Sequence, residues 1–225
     1  MITRSRLSYL KALGVDVWVR RERAAVSTAA EIREPATVAV NEMDWDELSA
    51  AVAGCTKCGL HQGRSQTVFG VGNRDADWML IGEAPGAEED RQGEPFVGRA
   101  GQLLNAMLAA IGLERSAVYI ANILKCRPPS NRDPKPEEAL CCEPYLQRQI
   151  ALVKPRIILA LGRIAAQNLL KTQTPIGRMR GKIYEYERLK IPIVVTYHPA
   201  YLLRSPTQKA RAWEDLLTAR RLVAI

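Results

Sequence analysis

From Asp77 onward, short apolar runs alternate with stretches whose apolar residues recur at helical spacing, and this alternation constrains the fold more than any other feature of the 225 residues. Trp78 to Ile81 reads as a strand stopped by Gly82, Gly101 to Ile111 as a helix, Val118 to Leu124 as a second strand and Pro136 to Val153 as a longer helix. Arg156 to Leu161 makes a third strand ending at Gly162, followed by a helix through Leu170; Ile191 to Thr196 makes a fourth, and Pro206 to Leu222 the last helix. Ile183 to Glu187 is a candidate hairpin strand. Alternation of this kind predicts an α/β chain, a three-layer αβα fold around a central four-stranded, mostly parallel sheet.

A parallel sheet also says where to look for chemistry, because ligands bind beyond the carboxyl ends of its strands. Three polar clusters fall at such ends: Gly82-Glu83-Ala84-Pro85-Gly86, then Asn122 with Lys125-Cys126-Arg127-Pro128-Pro129, then Tyr197-His198-Pro199-Ala200. They are predicted to converge on one cleft. Upstream, Leu7 to Val19 has the spacing of a short helix and Ala24 to Val40 reads as a flexible linker. Residues 1–43 are therefore expected to be a partly flexible extension and 44–225 the working domain, opened by a helix over Asp44 to Val52 with acidic residues in its first turn.

The apolar runs fall far short of the ~20 residues a membrane-spanning helix needs, and the first residues carry no secretory pattern. A soluble, cytoplasmic protein is expected, working as a monomer without a membrane partner. With 47% hydrophobic and 25% charged residues the chain is too apolar to be mainly disordered. The net charge of +8 is unevenly placed: residues 1–54 hold 7 Lys/Arg against 8 Asp/Glu, residues 55–225 hold 25 against 16. That excess fits a polyanionic partner, since basic side chains placed on phosphates release counterions.

Five cysteines, Cys55, Cys58, Cys126, Cys141 and Cys142, occur without an export signal, which argues against structural disulfides. Cys55-Thr56-Lys57-Cys58 is a C-x2-C knuckle, and Cys126 with Cys141 or Cys142 supplies a second pair of thiolates. Four thiolates fit tetrahedral zinc or an iron-sulfur cluster, and the wide split of the second pair leans toward the cluster.

GEAPG at 82–86, EPFVGRAGQLL at 94–104, NILKCRPPSNRDPKPEE at 122–138 and YHPAYLLR at 197–204, together with the cysteine spacing, closely resemble the family 4 uracil-DNA glycosylases. The likeness runs from Cys55 to about Leu222. It implies a [4Fe-4S] cluster of structural role held by Cys55, Cys58, Cys126 and Cys142, with Cys141 spare. Glu83 matches the acidic residue of the first catalytic motif: breaking an N-glycosidic bond develops positive charge on the sugar, which a carboxylate stabilises while orienting water. His198 matches the histidine that donates to uracil O2 as the base leaves. Asn122 matches the residue whose amide reads O4 and N3 of uracil and rejects cytosine. Phe96 matches the aromatic that stacks on the everted base, and Ala84 is counted with the substrate-binding residues.

Leu202 or Leu203 resembles the wedge that fills the space left in the helix, with Arg204 on phosphate. Arg178, Arg180 and Lys182 form a basic loop expected to contact phosphate, and Lys125 is read as phosphate-facing. The resemblance thus implies a base-flipping enzyme, associated with the nucleoid when bound to DNA, that releases uracil from single- or double-stranded DNA and leaves an abasic site. A noncatalytic cluster- or zinc-bearing nucleic-acid-binding module, or a glycosylase for another deaminated base, would share many of these features. His61, beside the knuckle, reads as a packed histidine.

Overall fold

A computed structural model describes residues 4–14, 39–186 and 189–223. The chain divides into two compact units, Met1–Thr37 and Val38–Ile225. In the first, a helix α1 (Arg4–Ala12) covers part of the stretch expected to be helical, while residues 15–19 and nearly all of the expected linker lie outside the described residues.

The second unit contains, in chain order, α2 (Trp45–Ala53), β1 (Val71–Gly72), β2 (Trp78–Gly82), α3 (Ala87–Gln92), α4 (Arg99–Ala110), β3 (Tyr119–Asn122) and α5 (Pro136–Val153). There follow β4 (Ile157–Leu161), α6 (Arg163–Leu170), α7 (Ile176–Met179), β5 (Ile183–Tyr186), β6 (Ile191–Thr196), α8 (Pro199–Arg204) and α9 (Lys209–Val223). The four expected strands form the parallel centre, but the sheet is six-stranded in the order β1-β3-β2-β4-β6-β5. The extra members are antiparallel edges: β1 on β3, and β5, the candidate hairpin strand, on β6. β1 escapes sequence reading because its two residues, Val71 and Gly72, carry no alternation.

β2 and β4 are buried at every position, as strands covered on both faces must be. One face packs Leu80, Ile120, Leu159 and Val194 against Leu104 and Leu108 of α4 and Leu216 of α9. The other packs Met79, Ala121, Ile158 and Ile193 against Leu146 and Ile150 of α5 and Ala165 of α6. This is the αβα layering. α2 starts on a capping box, Asp44 Oδ1 accepting from the backbone of Asp46 and Glu47 at 2.9 Å while Glu47 Oε2 accepts from Asp44 N at 3.0 Å. Its Leu48 and Val52 pack on Tyr145 of α5. Among the described residues, no helix is long and apolar enough to cross a membrane.

Candidate active site

The register of β2 with β3 pairs Gly82 with Asn122, so the residues after β2 and at the end of β3 leave the sheet side by side. β6 delivers His198 at the same edge. Together they open on a pocket of about 420 Å³ whose lining includes Glu83, Ala84, Phe96, Asn122, His198 and Arg204. Glu83, Phe96, Asn122 and His198, spread over more than a hundred positions, thus share one hollow.

Their chemistry is set by their surroundings. Burial, and secondarily the charge of Asp133, raises the Glu83 carboxyl to about 7, while Arg163 pulls the other way. His198 is pushed down to about 4, first by burial and then by Arg204, although part of its ring stays open to the pocket. It is a neutral imidazole at neutral pH. Its Nδ1 accepts from Ala200 N at 3.2 Å, so the proton belongs on Nε2, which is left as the donor. The Phe96 ring stacks on this imidazole with centroids 5.5 Å apart. Asn122 is 2% exposed, and its Oδ1 has no hydrogen-bond partner in the protein. A buried acceptor left bare costs about 1–3 kcal/mol, which is recovered when a ligand donates to it.

Phe96 reaches the pocket through a backbone of φ 55, which a non-glycine residue adopts only when held there. Two features hold it. Gly101 lets α4 pass so close that a Cβ there would lie 1.7 Å from Phe96 O. The Glu89 carboxylate accepts from Gly86 N at 3.1 Å with one oxygen and from Val97 N and Gly98 N at 3.1 and 3.3 Å with the other, tying the turn after Glu83 to the turn after Phe96. Sequence reading missed Glu89, whose only local signal is the acidic run at the start of α3, where the helix N-terminus favours acidic residues anyway.

A second, smaller hollow is lined by all five cysteines, with Val52, Lys57, His61, Arg64, Lys125 and Tyr145. The thiols are free. Cys126 and Cys142 are buried, whereas Cys141 is partly exposed and its thiol donates to Lys57 O at 3.4 Å. Arg64 Nη1 donates to Cys126 Sγ at 3.0 Å and to Cys55 O at 2.9 Å. His61 Nδ1 lies 2.7 Å from Cys58 O, within the knuckle's own backbone. Among the described residues, no group of three or more His, Cys, Asp or Glu side chains has the geometry to hold a metal ion.

The profile of the uracil DNA glycosylase superfamily matches residues 69–217. A type-4 uracil-DNA glycosylase of Archaeoglobus fulgidus is 50% identical over 167 residues, covering 72% of this chain and 84% of that protein. Another, from Pyrobaculum aerophilum, is 43% identical over 180 residues, covering 77% and 92%, and one from Thermotoga maritima is 41% identical over 179 residues, covering 78% and 93%. The chain belongs to the type-4 uracil-DNA glycosylases.

Several residues expected to face DNA sit differently from one another. Leu202 is 1% exposed in the α4–α9 layer, whereas Leu203 is 37% exposed, next to the pocket residue Arg204. Arg178 and Lys182 are exposed. Arg180 is turned inward: its Nε donates to the buried Asp215 at 2.7 Å, and its guanidinium lies over the Tyr197 ring at 4.3 Å. It is a packed structural cation rather than a free phosphate ligand. Lys125 departs from expectation in the same way, being 2% exposed, with Nζ donating to Asn122 O at 3.0 Å and Gln149 Oε1 at 2.6 Å. A lysine so buried braces the end of β3 and cannot reach phosphate.

Proposed function

We propose that this glycosylase takes a deoxyuridine everted from DNA into the pocket and hydrolyses its N-glycosidic bond, releasing uracil and leaving an abasic site. The observation that carries this reading is the bare Oδ1 of Asn122, a buried acceptor in the lining of the hollow that Glu83, Phe96 and His198 also line. Uracil satisfies it: N3–H donates to Oδ1 while the amide nitrogen donates to O4, and cytosine presents the reverse pattern at both positions. Phe96 stacks on the ring. A few kcal/mol of unstacking must be offset by these contacts and by those to the backbone.

As the bond to N1 lengthens, negative charge spreads onto uracil O2, where the Nε2–H of neutral His198 stabilises it; removing such a donor costs about 10²–10³ in rate. Positive charge develops on the sugar. The ionised Glu83 carboxylate opposes it and orients the water whose oxygen bonds C1′, taking the proton that water sheds. The uracil anion is protonated after it leaves. Leu203, the exposed leucine of the pair, is assigned the wedge, and Arg204, Arg178 and Lys182 the phosphate contacts.

The cysteine-lined hollow is assigned a [4Fe-4S] cluster on Cys55, Cys58, Cys126 and Cys142. What supports it is an all-thiol donor set spread around a hollow, which suits a cluster whose ligands each meet a different iron better than ligands focused on one ion. Bound there, the cluster would tie the segment after α2 to α5 and to the chain beyond β3. Iron and acid-labile sulfide in the purified protein test this assignment. The activity is placed in residues 44–225, with 1–43 an extension, in a cytoplasmic monomer that meets the nucleoid through single- or double-stranded DNA.

Uracil release from single- and double-stranded oligonucleotides tests the function. The parent protein is expected to release uracil, and Glu83→Gln to lose about 10²-fold or more in single-turnover rate while still binding uracil-containing DNA. Undiminished release by Glu83→Gln would overturn the assignment of Glu83.

A further inference from the structure

Besides Glu83 and Glu89, whose oxygens are taken up by backbone amides, the pocket has a third carboxylate that the proposed chemistry leaves unused. Asp133 lines it, with Glu83, from the segment between β3 and α5. Left alone, two carboxylates facing one hollow would compete, and one would take up a proton. Asp133 is not alone. Its Oδ2 accepts from Arg163 Nη2 at 2.5 Å, and Arg163 is the first residue of α6, just past the carboxyl end of β4, the strand next to β2.

We propose that the Asp133–Arg163 ion pair is a positioning element that sets the charge on Glu83 in the reacting complex. The inference rests on the role given to Glu83 above.

Three observations carry it. First, Asp133 is held from both ends, since its backbone carbonyl accepts from Arg132 Nη1 at 3.0 Å and Arg132 in turn forks onto the buried Glu138 at 2.9 and 2.5 Å. Second, the chain reaches Asp133 through consecutive left-handed residues, Ser130 at φ 54 and Asn131 at φ 52, neither a glycine. A short loop keeps such a backbone where the surroundings fix it, and here it delivers Asn131, Arg132 and Asp133 to the pocket wall. Third, the ion pair is exposed, with 46% of the Arg163 side chain and 63% of the Asp133 side chain open to solvent. Ion pairs of that kind contribute little to folding, so a variant that breaks this one is expected to keep the fold while changing the charge beside Glu83.

The neighbour is Glu83. Burial raises its carboxyl; Asp133 raises it further, and Arg163 lowers it. Glu89, Arg132, His198 and Arg204 are the other titratable or charged groups of the wall. Glu83 must be ionised to oppose sugar charge, so the pair fixes how far above the acid range the enzyme needs to be. Removing Asp133 frees Arg163 to favour the carboxylate. Removing Arg163 leaves Asp133 to repel it.

The test is the pH dependence of single-turnover uracil release at low salt, with thermal melting to confirm folding. The parent is expected to lose activity as pH falls through about 7. Asp133→Asn should move that acid limb to lower pH and Arg163→Gln to higher pH, each by about half a unit or more, so that on the limb the first is several-fold faster than the parent and the second several-fold slower. Arg163→Lys should restore the parent limb, and all variants should meet the parent rate on the alkaline plateau. Limbs that stay in place, or that move the same way in Asp133→Asn and Arg163→Gln, overturn the proposal. An acid limb that persists unchanged in the residual activity of Glu83→Gln overturns instead the role of Glu83 itself.

Discussion

At Asn122 the proposed function asks one side chain to read the base. Its amide is buried at the end of β3, where Gly82 on the paired strand leaves it room: a Cβ at Gly82 would lie 2.4 Å from Asn122 Oδ1 and 2.7 Å from the Phe96 ring. The amide offers one acceptor and one donor face, which the N3–H and O4 of uracil meet and the N3 acceptor and exocyclic amine of cytosine do not. Asn122→Asp replaces the donor by a second acceptor. It is expected to lower uracil release by about 10²-fold or more, because a buried donor–acceptor pair becomes a clash of acceptors, and to bring in slow release of cytosine, whose exocyclic amine can donate. Parallel assays on uracil- and cytosine-containing single strands measure both, and unchanged selectivity would remove Asn122 from base reading. The resemblance made Asn122, Glu83, Phe96 and His198 legible because each sits in a contiguous motif. Glu89, Asp133 and Arg163 were not legible as site residues, since their partners lie on other elements and their residue types are ordinary at a surface.

At the scale of elements, the wide apolar runs were read well because burial on both faces leaves an uninterrupted signal, and α5 and β6 appear with the bounds their sequences predict. The short helices α3, α7 and α8 were not read: six, four and six residues give too few turns for a periodic stripe. α8 matters most, because it sorts the two leucines that sequence left equivalent. His198 caps it, Leu202 points into the core and Leu203 outward. Leu203→Ala is expected to reduce uracil release from double-stranded DNA by roughly tenfold while leaving single strands nearly unaffected, since only a duplex needs its vacated space filled. Leu202→Ala should instead cost about 2–4 kcal/mol of stability through the cavity it leaves. The opposite pattern in paired melting and activity assays would exchange their roles.

On the scale of the whole molecule, the parallel centre of the sheet brings the ends of β2, β3, β4 and β6 to one edge, and each contributes to the pocket or to the charges around it. That convergence follows from topology and could be anticipated from the alternation of elements alone. The inward turn of Arg180 and Lys125 could not, because their partners Asp215 and Gln149 lie 35 and 24 residues away, and a positive charge in sequence looks the same whether it meets phosphate or a buried acceptor. The basic surface is correspondingly thinner than the count of lysines and arginines implies. The most direct measurement of the central claim is a crystal structure of Glu83→Gln bound to a uracil-containing oligonucleotide. The uracil should stand outside the base stack against Phe96, with N3 and O4 at hydrogen-bond distance, about 2.7–3.2 Å, from the Asn122 amide and O2 facing His198 Nε2. A uracil still stacked in its strand, or lodged in any other hollow, would contradict it.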